Sequence, residues 1–185
     1  MKLNYLLAML FMAVTFGASA QDWSTDVYKY GEQYPGYIID ENGKKTEGFI
    51  EYRNRYAMQN EVMFFGEKGN KKSKQKIKTS GLKEYMVADK LYQCIHYSGG
   101  LMAKPIRANL VVADGCITQY VWYNRADNFA IMQKGANETE EEFMTRKYPS
   151  VMVFKKDGEE TARSVDYFGL KFAKKMSEFV ADNSE

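Results

Sequence analysis

The chain has 185 residues, of which 45% are hydrophobic and 15% aromatic, with a formal net charge of +2. That hydrophobic content excludes wholesale disorder, and a charge so close to zero excludes a general nucleic-acid binder, which needs a strong basic excess. The 14 Tyr and 11 Phe favour strands, where rings pack well on a pleated surface.

Residues 1–20 read as a cleaved signal peptide. Lys2 gives a short positive start, Leu3 to Gly17 is almost unbroken apolar sequence, and Ala18-Ser19-Ala20 has the small-x-small pattern of a signal peptidase site. About 15 apolar residues fall short of the about 20 that a membrane span needs. The mature chain is therefore expected to begin at Gln21, to carry no transmembrane span, and to reside in the periplasm or at the cell surface. Its length of about 165 residues suits one domain. Residues 21–35, with Trp23, Tyr28, Tyr30 and Tyr34, form an N-terminal arm, and residues 36–185 a single β-rich domain.

Gly36 to Arg53 reads as a hairpin with Asn42-Gly43 at its turn. A two-residue turn there sets Ile39 opposite Thr46 and Tyr37 opposite Gly48. The core face is then Tyr37, Ile39, Thr46, Ile50 and Tyr52, and the Tyr37 ring covers the bare backbone of Gly48. Glu61–Gly66 is a short strand. Glu67 to Lys78 is rich in lysine and reads either as a contact for phosphate groups or lipid head groups or as a solvated hairpin tip with a charged edge that discourages aggregation. Ser80 to Tyr85 suggests a turn or one helical turn, and Leu91–Ser98 a strand. Ile106–Ala113 and Cys116–Tyr123 are joined by Asp114-Gly115, the strongest hairpin signal in the chain.

Beyond Asn124, Thr139-Glu140-Glu141-Glu142 matches a capping box for a helix to about Lys147, ahead of Pro149. Ser150–Lys156 and Thr161–Val165 form a third hairpin over Asp157-Gly158. A last helix from Tyr167 to Ala181 places Phe168, Phe172, Met176, Phe179 and Val180 on one face. The expected fold is mainly β (α+β): an antiparallel meander or a curled, partly closed sheet packed by a C-terminal helix. Met63-Phe64-Phe65 with Gly81-Leu82-Lys83 is echoed by Met152-Val153-Phe154 with Gly169-Leu170-Lys171, too little to read as a repeat architecture.

The segments Gly36-Tyr37-Ile38-Ile39, Gly48-Phe49-Ile50-Glu51-Tyr52-Arg53-Asn54 and Val62-Met63-Phe64 resemble a family of small exported proteins of unknown function from Bacteroidota. The likeness continues in Leu82-Lys83-Glu84-Tyr85, in Asp114-Gly115 with its aromatic return strand, and in Phe172, Met176 and Phe179. It covers most of the mature chain. Members often carry a Cys after the Asp that closes the helix, whereas here Asp182 precedes Asn183. The resemblance implies a signal peptide and a β-rich fold. It brings no established activity and no catalytic residues.

His96 is the only histidine, which removes the two-histidine zinc proteases. A zinc site from His96, Cys94, Cys116 and a carboxylate fits the usual spacings poorly, so no metal and no cofactor is expected. Cys94 and His96 share a strand face, but their Cβ atoms about 7 Å apart are too distant for a nucleophile–base pair. Ser73-x-x-Lys76 sits in the lysine-rich tip, and there is no G-x-S-x-G and no phosphate loop. No catalytic residue is assigned. Cys94 and Cys116 form either a disulfide, chemically allowed in an oxidising compartment, or two separate thiols, since the strand from Ile106 lies between them in a meander.

One constellation carries a binding chemistry. With Ala113 opposite Cys116, one face of the Asp114-Gly115 hairpin holds Ile106, Ala108, Leu110, Val112, Ile117, Val121 and Tyr123, a core face. The other holds Arg107, Asn109, Tyr120 and Trp122, with Arg107 facing Trp122 and Asn109 facing Tyr120. A planar cation, an amide and two aromatics suit a polar ring ligand or a peptide. The competing reading is a second packed face. The expected role is a non-catalytic binding or accessory protein of the cell envelope, with a protein, peptide or glycan as partner. The alternatives are an envelope- or glycan-directed hydrolase using unidentified carboxylates, and a structural or assembly protein.

Overall fold

A computed structural model describes residues 28–99, 102–103, 105–128, 130–131 and 133–181. The signal segment, the cleavage point and Trp23 lie outside the described residues, as does the side chain of Phe172. The strands are β1 (Gln33–Asp40), β2 (Lys45–Glu51), β3 (Glu61–Phe65), β4 (Lys74–Lys78), β5 (Leu82–Val87), β6 (Lys90–Gly99), β7 (Met102–Ala103), β8 (Arg107–Ala113), β9 (Ile117–Tyr123), β10 (Ser150–Lys156) and β11 (Thr161–Ser164). The helices are α1 (Arg55–Met58), α2 (Glu140–Lys147), α3 (Val165–Phe168) and α4 (Phe172–Ala181). The strands form one sheet in the order β11-β10-β9-β8-β6-β5-β1-β2-β3-β4, with β7 paired to β6.

The sheet is partly closed, and β11 closes it. That strand pairs antiparallel with β10 and parallel with β6, where Thr161 lies opposite His96. Strands β6, β8, β9, β10 and β11 thus form a small barrel, while β5, β1, β2, β3 and β4 continue as an open, curled wing. Two cores follow. Inside the barrel pack Tyr97, Val111, Tyr120, Val153 and Ala162, with Leu91, Ile95 and Trp122 against them. The larger core lies between the wing and the outer barrel wall, where Ile38, Ile50, Tyr52, Phe64, Tyr85 and Tyr92 meet Ala108, Leu110, Val121 and Tyr123.

The first hairpin departs from its expected register. The Asp40 carboxylate accepts hydrogen bonds from the backbone N–H groups of Asn42 and Lys44, both at 2.9 Å. Gly43 takes the left-handed conformation, φ 83°. The loop is therefore a three-residue turn with Gly43 at its bulge, not a two-residue turn. Ile39 pairs with Lys45 and Tyr37 with Glu47, one residue away from expectation. A slip of one turns every side chain over, so Ile38 joins Ile50 and Tyr52 in the core and Tyr37 and Ile39 take the other face. Gly48 lies opposite Gly36. A Cβ there would stand 2.5 Å from Phe64 Cζ, so Phe64 rather than Tyr37 covers this glycine.

Of the stretch expected as a turn or one helical turn, Ser80 and Gly81 do lie in a 3₁₀ turn, Thr79–Gly81, whereas Leu82 to Tyr85 instead begins β5. Strands β1 and β6 flank it on both sides, and its Leu82, Tyr85 and Val87 are buried, so tertiary pairing decides its conformation. The lysine-rich segment supplies β4, the outer edge of the wing. Its Lys76 ammonium lies 2.8 Å from Glu61 and its Lys74 ammonium 3.8 Å from Glu51. A short, cationic edge of this kind resists pairing with a second chain.

The capping box at Thr139 and Glu142 forms as expected and starts α2. The C-terminal helix is interrupted at Gly169, φ 53°, which separates α3 from a 3₁₀ turn and α4. Phe179 is buried and meets the Phe168 ring at 5.6 Å, Met176 is half-buried, and Val180 is exposed, contrary to its expected place on the apolar face. Gly81-Leu82-Lys83 enters a strand whereas Gly169-Leu170-Lys171 is a 3₁₀ turn, so the two echoed segments do not share a structure.

Candidate functional site

The site is built where α1 meets the open end of the barrel. Asn54 caps α1 by accepting from the Tyr56 N–H at 3.0 Å, and the single turn delivers Gln59 to the ends of β8 and β9. The Gln59 amide donates to the Tyr123 carbonyl and accepts from the Tyr123 N–H, both at 2.6 Å. Its own carbonyl accepts from the Ala108 N–H at 3.0 Å and from Thr79 Oγ1 at 2.6 Å. A buried side chain thus supplies the ladder bonds of a missing strand. Beside it opens a cleft of about 160 Å³ lined by Tyr56, Gln59, Asn60, Pro105, Arg107 and Trp122.

The second hairpin is also shifted. Leu110 pairs with Val121 and Val111 with Tyr120, and past an irregularity Ala113 pairs with Gln119. Arg107 therefore does not oppose Trp122, and Asn109 does not oppose Tyr120. The cause is a longer turn, in which the Asp114 carboxylate accepts from the Gly115 N–H at 3.1 Å and from Thr118 Oγ1 at 2.9 Å. A shift of two preserves the alternation, so the four residues still share one face, which is the barrel interior.

Their surroundings divide them into two pairs. Asn109 is fully buried and its amide donates to the Arg107 carbonyl at 2.9 Å. Tyr120 is buried and its hydroxyl donates to Gln93 Oε1 at 2.7 Å. Burial pushes the Tyr120 phenol up to about 12, which keeps it a neutral donor. These two belong to the floor. Trp122 leans on Tyr97, ring centroids 4.6 Å apart, and reaches the cleft. Arg107 is half-buried beside it, with one Nη1–H bond to the Ile106 carbonyl at 3.0 Å. Tyr56, Gln59 and Asn60 escaped the sequence reading because a one-turn helix shows no periodicity. The usable signal was Asn54 as an N-cap.

A second polar cluster is structural. Arg55 is buried with its guanidinium 3.8 Å over the Tyr148 ring and Nε donating to the Tyr52 hydroxyl at 3.2 Å. Burial disfavours its charge, but the phenols of Tyr123, Tyr52 and Tyr30 around it more than offset this and hold its pKa above the ordinary arginine value. Tyr30 donates to Asp127 Oδ2 at 2.5 Å and Tyr28 to Asp89, which ties the described part of the N-terminal arm to the wing and the barrel.

Cys94 and Cys116 are separate free thiols. Cys94 sits opposite Ala108, and β8 intervenes between its strand and β9. Burial pushes the Cys94 thiol up to about 12, while Cys116 is exposed at the turn. Among the described residues no three of His, Cys, Asp and Glu gather where they could hold a metal ion. The cleft offers one guanidinium, the Asn60 amide, two aromatic residues and a proline, groups that bind and orient a ligand, while the Gln59 amide is committed to Tyr123. No family model, no curated protein and no solved structure matches the chain.

Proposed function

We propose that the chain is an exported, non-catalytic binding or accessory module of the cell envelope whose ligand enters the cleft at the barrel mouth. The observation that carries this reading is a cleft lined by half-buried Arg107 and Trp122 together with Tyr56 and Asn60. A planar cation and an indole lining one cleft favour flat polar groups, the indole through stacking and the guanidinium through forked hydrogen bonds. The described residues lining the cleft include no carboxylate, which weighs against a glycan hydrolase there. The short lysine-bearing edge β4 weighs against assembly by strand addition. Export rests on the pattern of residues 1–20 and on the family resemblance. The partner is a protein, peptide or glycan of the envelope.

Tryptophan fluorescence provides the test. The chain has 2 Trp, so Trp23→Phe leaves Trp122 as the reporter. Titration of this variant with panels of short peptides and oligosaccharides should give a saturable change. Arg107→Ala should abolish it and Arg107→Lys should weaken it nearly as much, with thermal melts unchanged. Normal binding by both arginine variants would end the proposal.

A further inference from the structure

We propose that the Arg107 cleft is a receptor for the carboxylate of an acidic sugar, a uronic acid unit. This rests on the reading of the cleft as the ligand site. The starting point is a guanidinium that no acid among the described residues pairs. Arginine stays ionised under all ordinary conditions, and a charge withdrawn from water is costly unless it is paired. The other half-buried arginines of the described structure have their acids: Arg53 lies 3.3 Å from Glu61 and Arg163 2.7 Å from Glu159. Buried Arg55 has its cage of phenols. Arg107 alone among these bonds only to the carbonyl of its neighbour Ile106, through Nη1. The rest of its five-donor fork faces no carboxylate among the described residues.

The walls narrow the choice of anion. Trp122 and Tyr56 give ring faces of the kind that pack on the C–H face of a sugar, and Pro105 adds an apolar rim. One Nδ2–H of Asn60 goes to the Tyr56 carbonyl at 3.0 Å, and its second Nδ2–H and Oδ1 can pair with a hydroxyl, which both donates and accepts. The cleft volume of about 160 Å³ accommodates one ring-sized unit of a ligand. Carboxylate, flat ring face and hydroxyl donor together describe one uronate residue.

The experiment uses the mature chain carrying Trp23→Phe, with three probes: methyl glucuronide, methyl glucoside as its neutral counterpart, and N-acetylphenylalanine as a carboxylate without a sugar. The glucuronide should shift Trp122 emission saturably, with affinity at least about tenfold above the glucoside and falling as salt is raised. Arg107→Gln should bring the glucuronide down to the level of the glucoside, with the melting temperature unchanged. Equal affinity for both sugars, or no effect of Arg107→Gln, overturns the carboxylate assignment while leaving the cleft in place. Tighter binding of N-acetylphenylalanine than of the glucuronide overturns the sugar assignment, as does a glucuronide that gives no saturable response. Glucuronide binding that survives both Arg107→Gln and, measured by titration calorimetry because it removes the reporter, Trp122→Ala instead refutes the cleft as the ligand site.

Discussion

Replacing Gln59 by leucine should be the most damaging single change to the polar framework of this fold. The substitution keeps the apolar volume and removes one amide. It leaves the N–H and C=O of buried Tyr123 without their 2.6 Å partners. A buried backbone group stripped of its partner costs about 1–3 kcal/mol, so the two together cost about 2–6 kcal/mol. That is a large share of the about 5–15 kcal/mol that holds a typical domain. With a urea slope of about 2 kcal/mol/M the midpoint should fall by about 1–3 M. Gln59→Glu separates hydrogen bonding from packing. A carboxylate accepts from the Tyr123 N–H but has nothing to donate to the carbonyl, whereas the neutral acid restores the donor. Burial raises the folded pKa of the introduced carboxyl above its unfolded value of about 4.3. The stabilisation this gives is fully present below the unfolded value and is lost as pH rises through the folded one. The variant should therefore approach the parent as pH falls from about 7 toward about 4. A leucine variant within about 0.5 kcal/mol of the parent, or a glutamate variant whose deficit ignores pH, would show that the Gln59 amide is not what joins α1 to the barrel.

Phe179→Ala should cost about 3–5 kcal/mol, because the ring is buried against Phe168 and lies 5.2 Å from the Arg163 guanidinium. An unchanged urea midpoint would mean that α4 does not seal the fold. A thiol reagent at about pH 8 should modify Cys116 at once and Cys94 only after unfolding, since burial pushes the Cys94 thiol up to about 12. Two fast thiols, or none, would contradict this arrangement. Intact mass of the protein recovered from its native host should correspond to a chain beginning at Gln21. Retention of residues 1–20 would make it a membrane-anchored protein instead.

Most strands, the capping box at Thr139 and the mainly β class were legible because alternation and turn chemistry are local properties. The registers were not. Asn42-Gly43 and Asp114-Gly115 both signal hairpins, but each neighbouring aspartate recruits extra backbone or hydroxyl donors and lengthens the loop. In the first hairpin the error is one residue and exchanges Tyr37 for Ile38 in the core. In the second it is two, and the face of Arg107, Asn109, Tyr120 and Trp122 survives intact. What alternation along β8 and β9 could not convey is that this face lines a closed barrel. Closure depends on β11 meeting β6, a pairing between distant segments. The cleft itself needed α1, whose four residues leave almost no pattern.

The parallel ladder of β11 on β6 also has a consequence in time. His96 and Thr161 are paired across roughly 65 residues of chain, and the entropy of closing so long a loop must be met before any contact rewards it. The hairpins β1–β2 and β8–β9 close over a few residues each and can form early. The barrel should therefore shut last, after the folding barrier has been crossed. Ala162→Gly, in the closing strand, should then hasten unfolding and leave the refolding rate almost untouched, a φ-value near zero. A lowered refolding rate would place closure at the barrier. With late closure the cleft floor exists only in the finished molecule, and a bound ligand would act chiefly as a brake on unfolding.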